Sequence, residues 1–488
     1  MKDRAGAFIQ MPERDMKRSF AAITAPWLVL LAGTDGARSE ATYKTRHVAA
    51  QETWEIRDGR FHQNGKWVFI KTAKLLDPFN QPETADKVIA NIDVMVDRLQ
   101  YNNFSINIYP YTFDEDGDGE VDPPQREAYL NIGRIMDHCW QRGVFCSLSL
   151  ETYNVGGGGV PASLFEKHPE IVAVNALGEP AYDVEYVGDI GTIKPLPSIF
   201  HPAYLKWSRD FMRHFLRGLG SQRTSRLLYI ETTVEPQYLG QCNIGDRDQR
   251  RAALDFSRAA QEAFRQWNAA LPADSRRDAF RWPVTQLERD LAIGNPIFNK
   301  FRGQALGQWV TGDIQAIHSV VPTVYIAVDY NGRFDDPNNI RVGDHEAFLR
   351  AIEGADIIQI AAHCPKPWGS SSWDEVTHVS QLTRRAWAIS EHMTATGASA
   401  EDDDTLTQIL DNTLQRGTRW GWELVKAANL RPQDGFALYN KDWTGPILDV
   451  IEGQNWDKWL KKIGAARFVP KPRVMTNALS EPARPRAG

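Results

Sequence analysis

Residues 227–240, LLYIETTVEPQYLG, decide how the chain reads. Leu227, Leu228, Tyr229, Ile230, Thr232, Thr233 and Val234 form an apolar and β-branched run that predicts a buried strand. Pro236 removes a backbone donor and biases Glu235 toward an extended conformation, so the strand is expected to stop there with the carboxyl group projecting past its end. A carboxylate at the C-terminal end of a buried strand stands where parallel barrels carry their functional side chains. An isolated Glu-Pro pair is more often an ordinary surface turn, so the flanking chain has to decide.

Working outward, strand-like and helix-like segments alternate. The Asn64-Gly65 turn leads into a strand over 67–71, WVFIK. Further strands are predicted over 104–109, 144–150, 227–234, 323–330, 355–362, 386–391 and 420–425, with 436–439 as the other reading of the eighth. Helical stripes fall over 85–100, 127–142, 204–219, 249–271, 298–320, 345–353, 375–385, 405–416 and 447–463. In the second of these Tyr129, Leu130, Ile132, Ile135 and Met136 mark the buried side, and Gly143 reads as the C-cap. Eight strand–helix units without an internal repeat or a Gly-x-Gly-x-x-Gly turn predict an α/β chain folded as a (β/α)8 TIM barrel with long loops at the C-terminal face.

Composition narrows the partners. With 488 residues, 42% hydrophobic content and a net charge of −6, the chain has material for a large core and no basic footprint for nucleic acid. Sixteen tryptophans and fourteen tyrosines suit stacking on sugars as well as core packing. Lys17 and Arg18, an apolar stretch over 20–31 and then small residues have the layout of an export leader over 1–39, with Met16 as an alternative start. The stretch is about 12 residues against the roughly 20 that span a bilayer, so export to a periplasm or beyond is expected rather than membrane anchorage. Residues 40–53 read as a linker, 54–466 as the barrel and 467–488 as a Pro- and Arg-rich disordered tail.

Gly156 to Gly159 are not followed by the Lys-Ser or Lys-Thr of a phosphate loop and read as a turn at the barrel mouth. Cys139, Cys146, Cys242 and Cys364 have no metal spacing; the first two read as buried thiols, while Cys242 and Cys364 are free to pair. Asp114, Asp116 and Asp118 open a calcium-loop pattern, but Gln125 stands where the bidentate glutamate belongs. A solvated acidic turn and a structural calcium are both open; no other cofactor is expected.

If the strand count holds, Glu235 ends strand four and Glu391 ends strand seven, facing one pocket. Two carboxylates about 5 to 5.5 Å apart are what retaining glycoside hydrolysis needs. Glu235 in TVEPQY and Glu391 in WAISEHM, with NGKWVFIK and the FDEDGDGEVD loop, resemble the clan A glycoside hydrolases of families 5 and 42 over most of 54–465. The resemblance implies an acid/base at Glu235, a nucleophile at Glu391, and a carbohydrate substrate. That clan usually has Asn before the acid/base, where this chain has Val234; Asn107, Glu231 and Gln237 are the candidate replacements. By strand parity Glu231 points the same way as Glu235 and is a reserve acid. By position Tyr330, His363 and Trp422 fall where such barrels bind sugar; Trp368 and Trp373 are lid candidates, and Tyr109 and Tyr153 are further ones. Insertions after strands three and six favour a pocket and exo action, and a homo-oligomer is allowed.

Two other classes stand beside this one. A metal-dependent barrel hydrolase wants clustered ligands, and the eleven histidines are scattered. A non-catalytic carbohydrate-binding barrel keeps the aromatics without needing both glutamates.

Overall fold

The computed structural model describes residues 44–49, 52–75, 79–97, 100–118, 120–153, 159–187, 190–233, 235–238, 249–272, 280–332, 338–361, 382–383, 385–390, 421–424, 457, 460–461 and 464–473. Side chains of 183–193, 361, 389–390 and 421–424 lie outside the description. So do the export leader, Glu391, His363, Trp368, Trp373, Cys242, Cys364 and the alternative eighth strand at 436–439.

An antiparallel sheet comes first: β1 (Lys44–Ala49), β2 (Glu52–Arg57), β3 (Arg60–Gln63) and β4 (Lys66–Trp67). Residues 44–53, expected as linker, therefore include β1 and the start of β2. The reason is local alternation: Arg46, Trp54 and Ile56 are buried between more exposed neighbours.

The barrel begins with β5 (Ile70–Leu75), α1 (Thr84–Asp97), β6 (Asn103–Ile108), α2 (Glu127–Arg142) and β7 (Phe145–Leu150). A long excursion holds α3 (Ala162–Lys167) and the hairpin of β8 (Tyr182–Val187) with β9 (Ile190–Pro195). Then come α4 (Pro202–Leu219), the short α5 (Ser221–Thr224) and β10 (Tyr229–Glu231). A second excursion carries α6 (Gln249–Ala252), α7 (Arg258–Ala270) and α8 (Gln286–Ala292) before α9 (Pro296–His318) and β11 (Tyr325–Tyr330). The remaining elements are α10 (His345–Ala351), β12 (Ile357–Ala361), β13 (Ala386–Ser390) and β14 (Gly421–Leu424).

Strands β5, β6, β7, β10, β11, β12, β13 and β14 pair in parallel in that order, and β14 pairs back onto β5, closing the barrel. The eight-stranded parallel barrel expected from the sequence is thus the observed one, with the helices expected over 375–385, 405–416 and 447–463 lying outside or largely outside the described residues. Boundaries differ where tertiary bonds compete: the helix expected over 249–271 is split into α6 and α7, and β10 is shorter than the run that predicted it. Leu130, expected on the buried side of α2, is 51% exposed. Among the described residues no helix is long and apolar enough to cross a membrane.

The N-terminal sheet plugs the bottom of the barrel. Trp54, Phe61 and Phe145 meet edge-on with centroids 5.2 to 6.0 Å apart, over Ile70, Leu228, Tyr229, Ile357 and Ala386. The buried Arg46 guanidinium donates to the carbonyls of Leu227 and Leu228, which ties β1 to the approach to β10. Burial pushes its pKa down to about 10.

The chain returns to this face at 464–473. Ala466 bridges Val68, the Phe468 ring lies 5.2 Å from Phe145, and Arg473 pairs with Glu52 at 2.7 Å and covers Trp140. Residues 467–473 are thus bound, where a tail was expected, because an aromatic and an arginine find partners on the plug; 474–488 lie outside the description. Gly143 permits the approach. It caps α2 with φ 75°, and a Cβ there would stand 2.1 Å from the Lys471 carbonyl oxygen. Gly143→Ala is expected to lower stability by about 2 kcal/mol or more, read by urea denaturation, because it combines left-handed strain with a backbone overlap.

Candidate active site

The upper lumen of the barrel is polar, and it is built in steps of two residues. In the lowest row Asn103 Nδ2 donates to Thr72 Oγ1 at 2.9 Å and Ser147 Oγ donates to Asn103 Oδ1 at 3.0 Å. Two residues higher, Ser105 and Ser149 hydroxyls meet at 2.9 Å, and Ser149 Oγ donates to Glu231 Oε2. Lys74 Nζ lies 3.6 Å from the same Oε2, and both side chains are 1% exposed. Since β6 and β7 separate β5 from β10, this ion pair crosses the lumen. In the top row Asn107 Nδ2 donates to Glu151 Oε1 at 2.6 Å and to the Tyr109 hydroxyl at 3.4 Å. Burial first, then the Glu151 carboxylate, pushes the Tyr109 hydroxyl's pKa up.

Side chains alternate along a strand, so the polar residues of NFSINI in β6 and FCSLSL in β7 share one face with Glu151 beyond them. On β11 the Tyr330 hydroxyl bonds His345 Nδ1 at 2.5 Å on α10, outside the barrel. Its neighbour Asp329, fully buried, therefore faces inward, in register with the buried Gln359 of β12. Among the described residues Asn107 Oδ1, Glu231 Oε1 and Gln359 Oε1 are buried without a hydrogen-bond partner, an acceptor-rich lining suited to a polyhydroxylated ligand.

Glu235 follows β10 by four residues, but not as an extension of it. The last ladder bond runs from Thr232 N to the Ala327 carbonyl at 3.2 Å. Thr233 then turns outward: its Oγ1 lies 2.7 Å from Thr152 Oγ1 and donates to Asp313 Oδ2 on α9 at 3.3 Å. Glu235 follows in a left-handed conformation, φ 50°, which a non-glycine residue keeps only when its surroundings enforce it. The expected extended exit is therefore corrected, and strand parity no longer applies beyond Thr232. The Glu235 carboxylate is buried and accepts from Gln237 Nε2 at 3.0 Å, while Arg341 Nη1 donates to Gln237 Oε1 at 3.4 Å.

Of the expected site residues, Asn107, Tyr109 and Glu231 share the lumen network, while Glu235 and Gln237 pair with each other beyond the end of β10. Tyr153 does not: it is 1% exposed and packs against Trp309 of α9 and Tyr204 of α4, centroids 5.3 and 6.4 Å away. Tyr330 faces α10, as above. Tyr330 is expected there from its position after a strand, which ignores the side to which a residue points, and Tyr153 reads as a lid residue because it lies on a loop. Trp422 lies on β14 in register with Lys71 and Ile389. Lys74, Ser149, Glu151, Asp329 and Gln359 were not singled out in the sequence, although polar residues at alternate positions of apolar strands were the available signal.

In the loop before α2, one carboxylate oxygen each from Asp114, Asp116 and Asp118 lies within 4.8 Å of the others. Asp116 accepts from Asp118 N at 3.2 Å and Asp118 from Glu120 N at 2.7 Å, bonds an acidic turn makes on its own.

No family model and no curated protein matches the chain. Solved structures do match it. The catalytic domain of a beta-amylase from Paenibacillus polymyxa gives a TM-score of 0.51 at 12% identity, over 77% of this chain and 97% of that one. A beta-galactosidase from Rahnella sp. R3 gives 0.51 at 11% identity, over 73% of this chain and 50% of that one. A beta-galactosidase from the haloarchaeon Halorubrum lacusprofundi gives 0.50 at 10% identity, over 73% and 52%. The chain spans about half the length of either beta-galactosidase. What is shared at these identities is the barrel fold, which meets the resemblance read from the sequence at that level.

The cross-lumen pair is open to test. Lys74→Met leaves Glu231 buried without its cation and is expected to cost about 3 to 5 kcal/mol in urea unfolding, with Lys74→Met/Glu231→Leu recovering most of it. A loss no larger than that of an ordinary surface substitution would show that the pair does not hold the barrel.

Proposed function

We propose that the protein is a retaining glycoside hydrolase acting on a β-linked oligo- or polysaccharide, with Glu235 as acid/base and Glu391 as nucleophile. The observation that carries the proposal is Glu235 itself: a buried carboxylate in left-handed backbone just past the C-terminal end of the fourth barrel strand, hydrogen-bonded by Gln237. Glu391 follows the last residue of β13, the seventh barrel strand, in sequence.

In this reading the sugar is held at the mouth, where the Asn107–Glu151 pair and Tyr109 offer hydroxyl-binding groups. Glu391 attacks the anomeric carbon while Glu235 gives its proton to the departing oxygen, and a covalent glycosyl-enzyme forms with inversion. Glu235, now a carboxylate, takes a proton from water, which attacks the same carbon and releases the sugar with its original configuration. The excursions after β7 and β10 both leave the mouth end of the barrel, and they favour a pocket with cleavage from chain ends.

A panel of dinitrophenyl β-glycosides and matching β-linked disaccharides tests the assignment. Glu391→Gln is expected to abolish turnover with folding retained, and Glu235→Gln to lower kcat/KM for the disaccharide by about 10²- to 10⁴-fold. Azide added to Glu391→Ala is expected to yield the α-glycosyl azide, and added to Glu235→Ala the β-azide. A fully active Glu391→Gln enzyme would refute the mechanism.

We further propose export, on the basis of residues 16–39. Expression with the leader in a bacterial host should give a shortened, extracytoplasmic protein, and N-terminal sequencing of uncleaved cytoplasmic protein would count against it.

A further inference from the structure

The backbone that delivers Glu235 is tied to the helical layer by a buried carboxylate that takes no part in the chemistry above. Asp313 of α9 is fully buried, and its Oδ2 accepts from Thr233 Oγ1 at 3.3 Å while its Oδ1 accepts from Arg209 Nε of α4 at 3.2 Å. Arg209 reaches across only because position 312 is glycine: a Cβ there would stand 2.0 Å from the guanidinium. The Thr233 hydroxyl also meets that of Thr152 at 2.7 Å, and the Thr152 carbonyl accepts from the Tyr204 hydroxyl at 2.8 Å.

Thr233 precedes Glu235 by two residues, and Thr152 directly follows Glu151. One carboxylate therefore ties together the ends of two neighbouring barrel strands, each carrying an acidic side chain at the mouth, and anchors both to α4 and α9. Left-handed backbone at a glutamate requires such over-determination.

We propose that Asp313 is a positioning residue for the proton donor, fixing through Thr233 the turn that aims Glu235 and through Thr152 the segment that carries Glu151. This rests on the reading of Glu235 as acid/base. The groups facing Asp313 are the Arg209 guanidinium, Arg213 beyond it, the Tyr204 hydroxyl, and the hydroxyls of Thr233 and Thr152.

Burial, opposed by Arg209, pushes its carboxyl up to about 6. Below that pH the group carries a proton, loses its ion pair with Arg209 and turns from acceptor to donor toward Thr233, so the tie loosens. Stability moves the other way. Because the folded state holds this proton to a higher pH than the unfolded chain does, the group's contribution to stability declines as pH rises from the ordinary carboxylate range through about 6.

The test compares a dinitrophenyl β-glycoside, whose leaving group needs no proton, with the matching β-linked disaccharide, whose leaving group does. Asp313→Asn and Thr233→Val are expected to lower kcat/KM for the disaccharide about tenfold or more and for the dinitrophenyl substrate about twofold or less, with Thr233→Ser close to wild type. Asp313→Asn should also abolish the acid limb near pH 6 in the disaccharide profile. Should Asp313→Asn fail to fold, the Thr233 pair carries the test.

Equal losses on both substrates, or no loss, overturn the positioning role if Glu235→Gln is itself selectively slow on the disaccharide. If Glu235→Gln spares the disaccharide, the acid/base reading fails, and this inference fails with it.

Discussion

A closed parallel barrel has to fill its own interior, and here the Lys74–Glu231 pair spans the space that apolar side chains leave open. Below it the lumen is occupied by Ile70, Ala327, Ile357 and Ala386 over the aromatic plug of Trp54, Phe61 and Phe145. Above it lies the mouth. A buried ion pair is costly unless its remaining lone pairs are used, and Ser149 supplies a further bond to Glu231. The serine and asparagine rows on either side extend the same solution to three layers, where many barrels use branched apolar residues. The polar upper half is therefore both a way of filling the barrel and the floor of the candidate site.

The bottom of the barrel is held with comparable care. Arg46 binds the carbonyls leading into β10, Lys44 pairs with Asp356 at 2.9 Å ahead of β12, and Arg473 brings the C-terminal segment onto Glu52. These bonds fix where each strand enters the barrel, and so the height at which its C-terminal end emerges. The left-handed backbone of Glu235 lies past the C-terminal end of a strand whose entry is fixed in this way. Likeness to a beta-amylase and two beta-galactosidases concerns this frame, while the chemistry depends on which side chains stand at the rim.

Reading the sequence succeeded where the signal is periodic and failed where it depends on direction. The eight strands were legible because runs such as YIAVDY and AWAIS lie between helical stripes, each over a few residues. The polar rows were missed because a serine or lysine inside an apolar strand reads as noise until its partner on another strand is known. Tyr330 was misplaced because a position after a strand does not say whether a ring points to the lumen or to a helix, and Tyr153 because a loop aromatic can pack inward, here on Trp309, as readily as cover a mouth. Parity failed at Thr233, where bonds to Thr152 and Asp313 outcompete continuation of the ladder.

The amino-acid order alone determined the succession of strands and helices, the class of fold and the presence of a glutamate beyond the fourth strand, since each of these depends on side-chain spacing within a short window. Tertiary structure alone decided that Lys74 meets Glu231, that Asn107 holds Glu151 and that Asp313 accepts from Thr233. Those meetings depend on strand register and on closure of β14 against β5, and both are set by contacts between residues far apart in the chain.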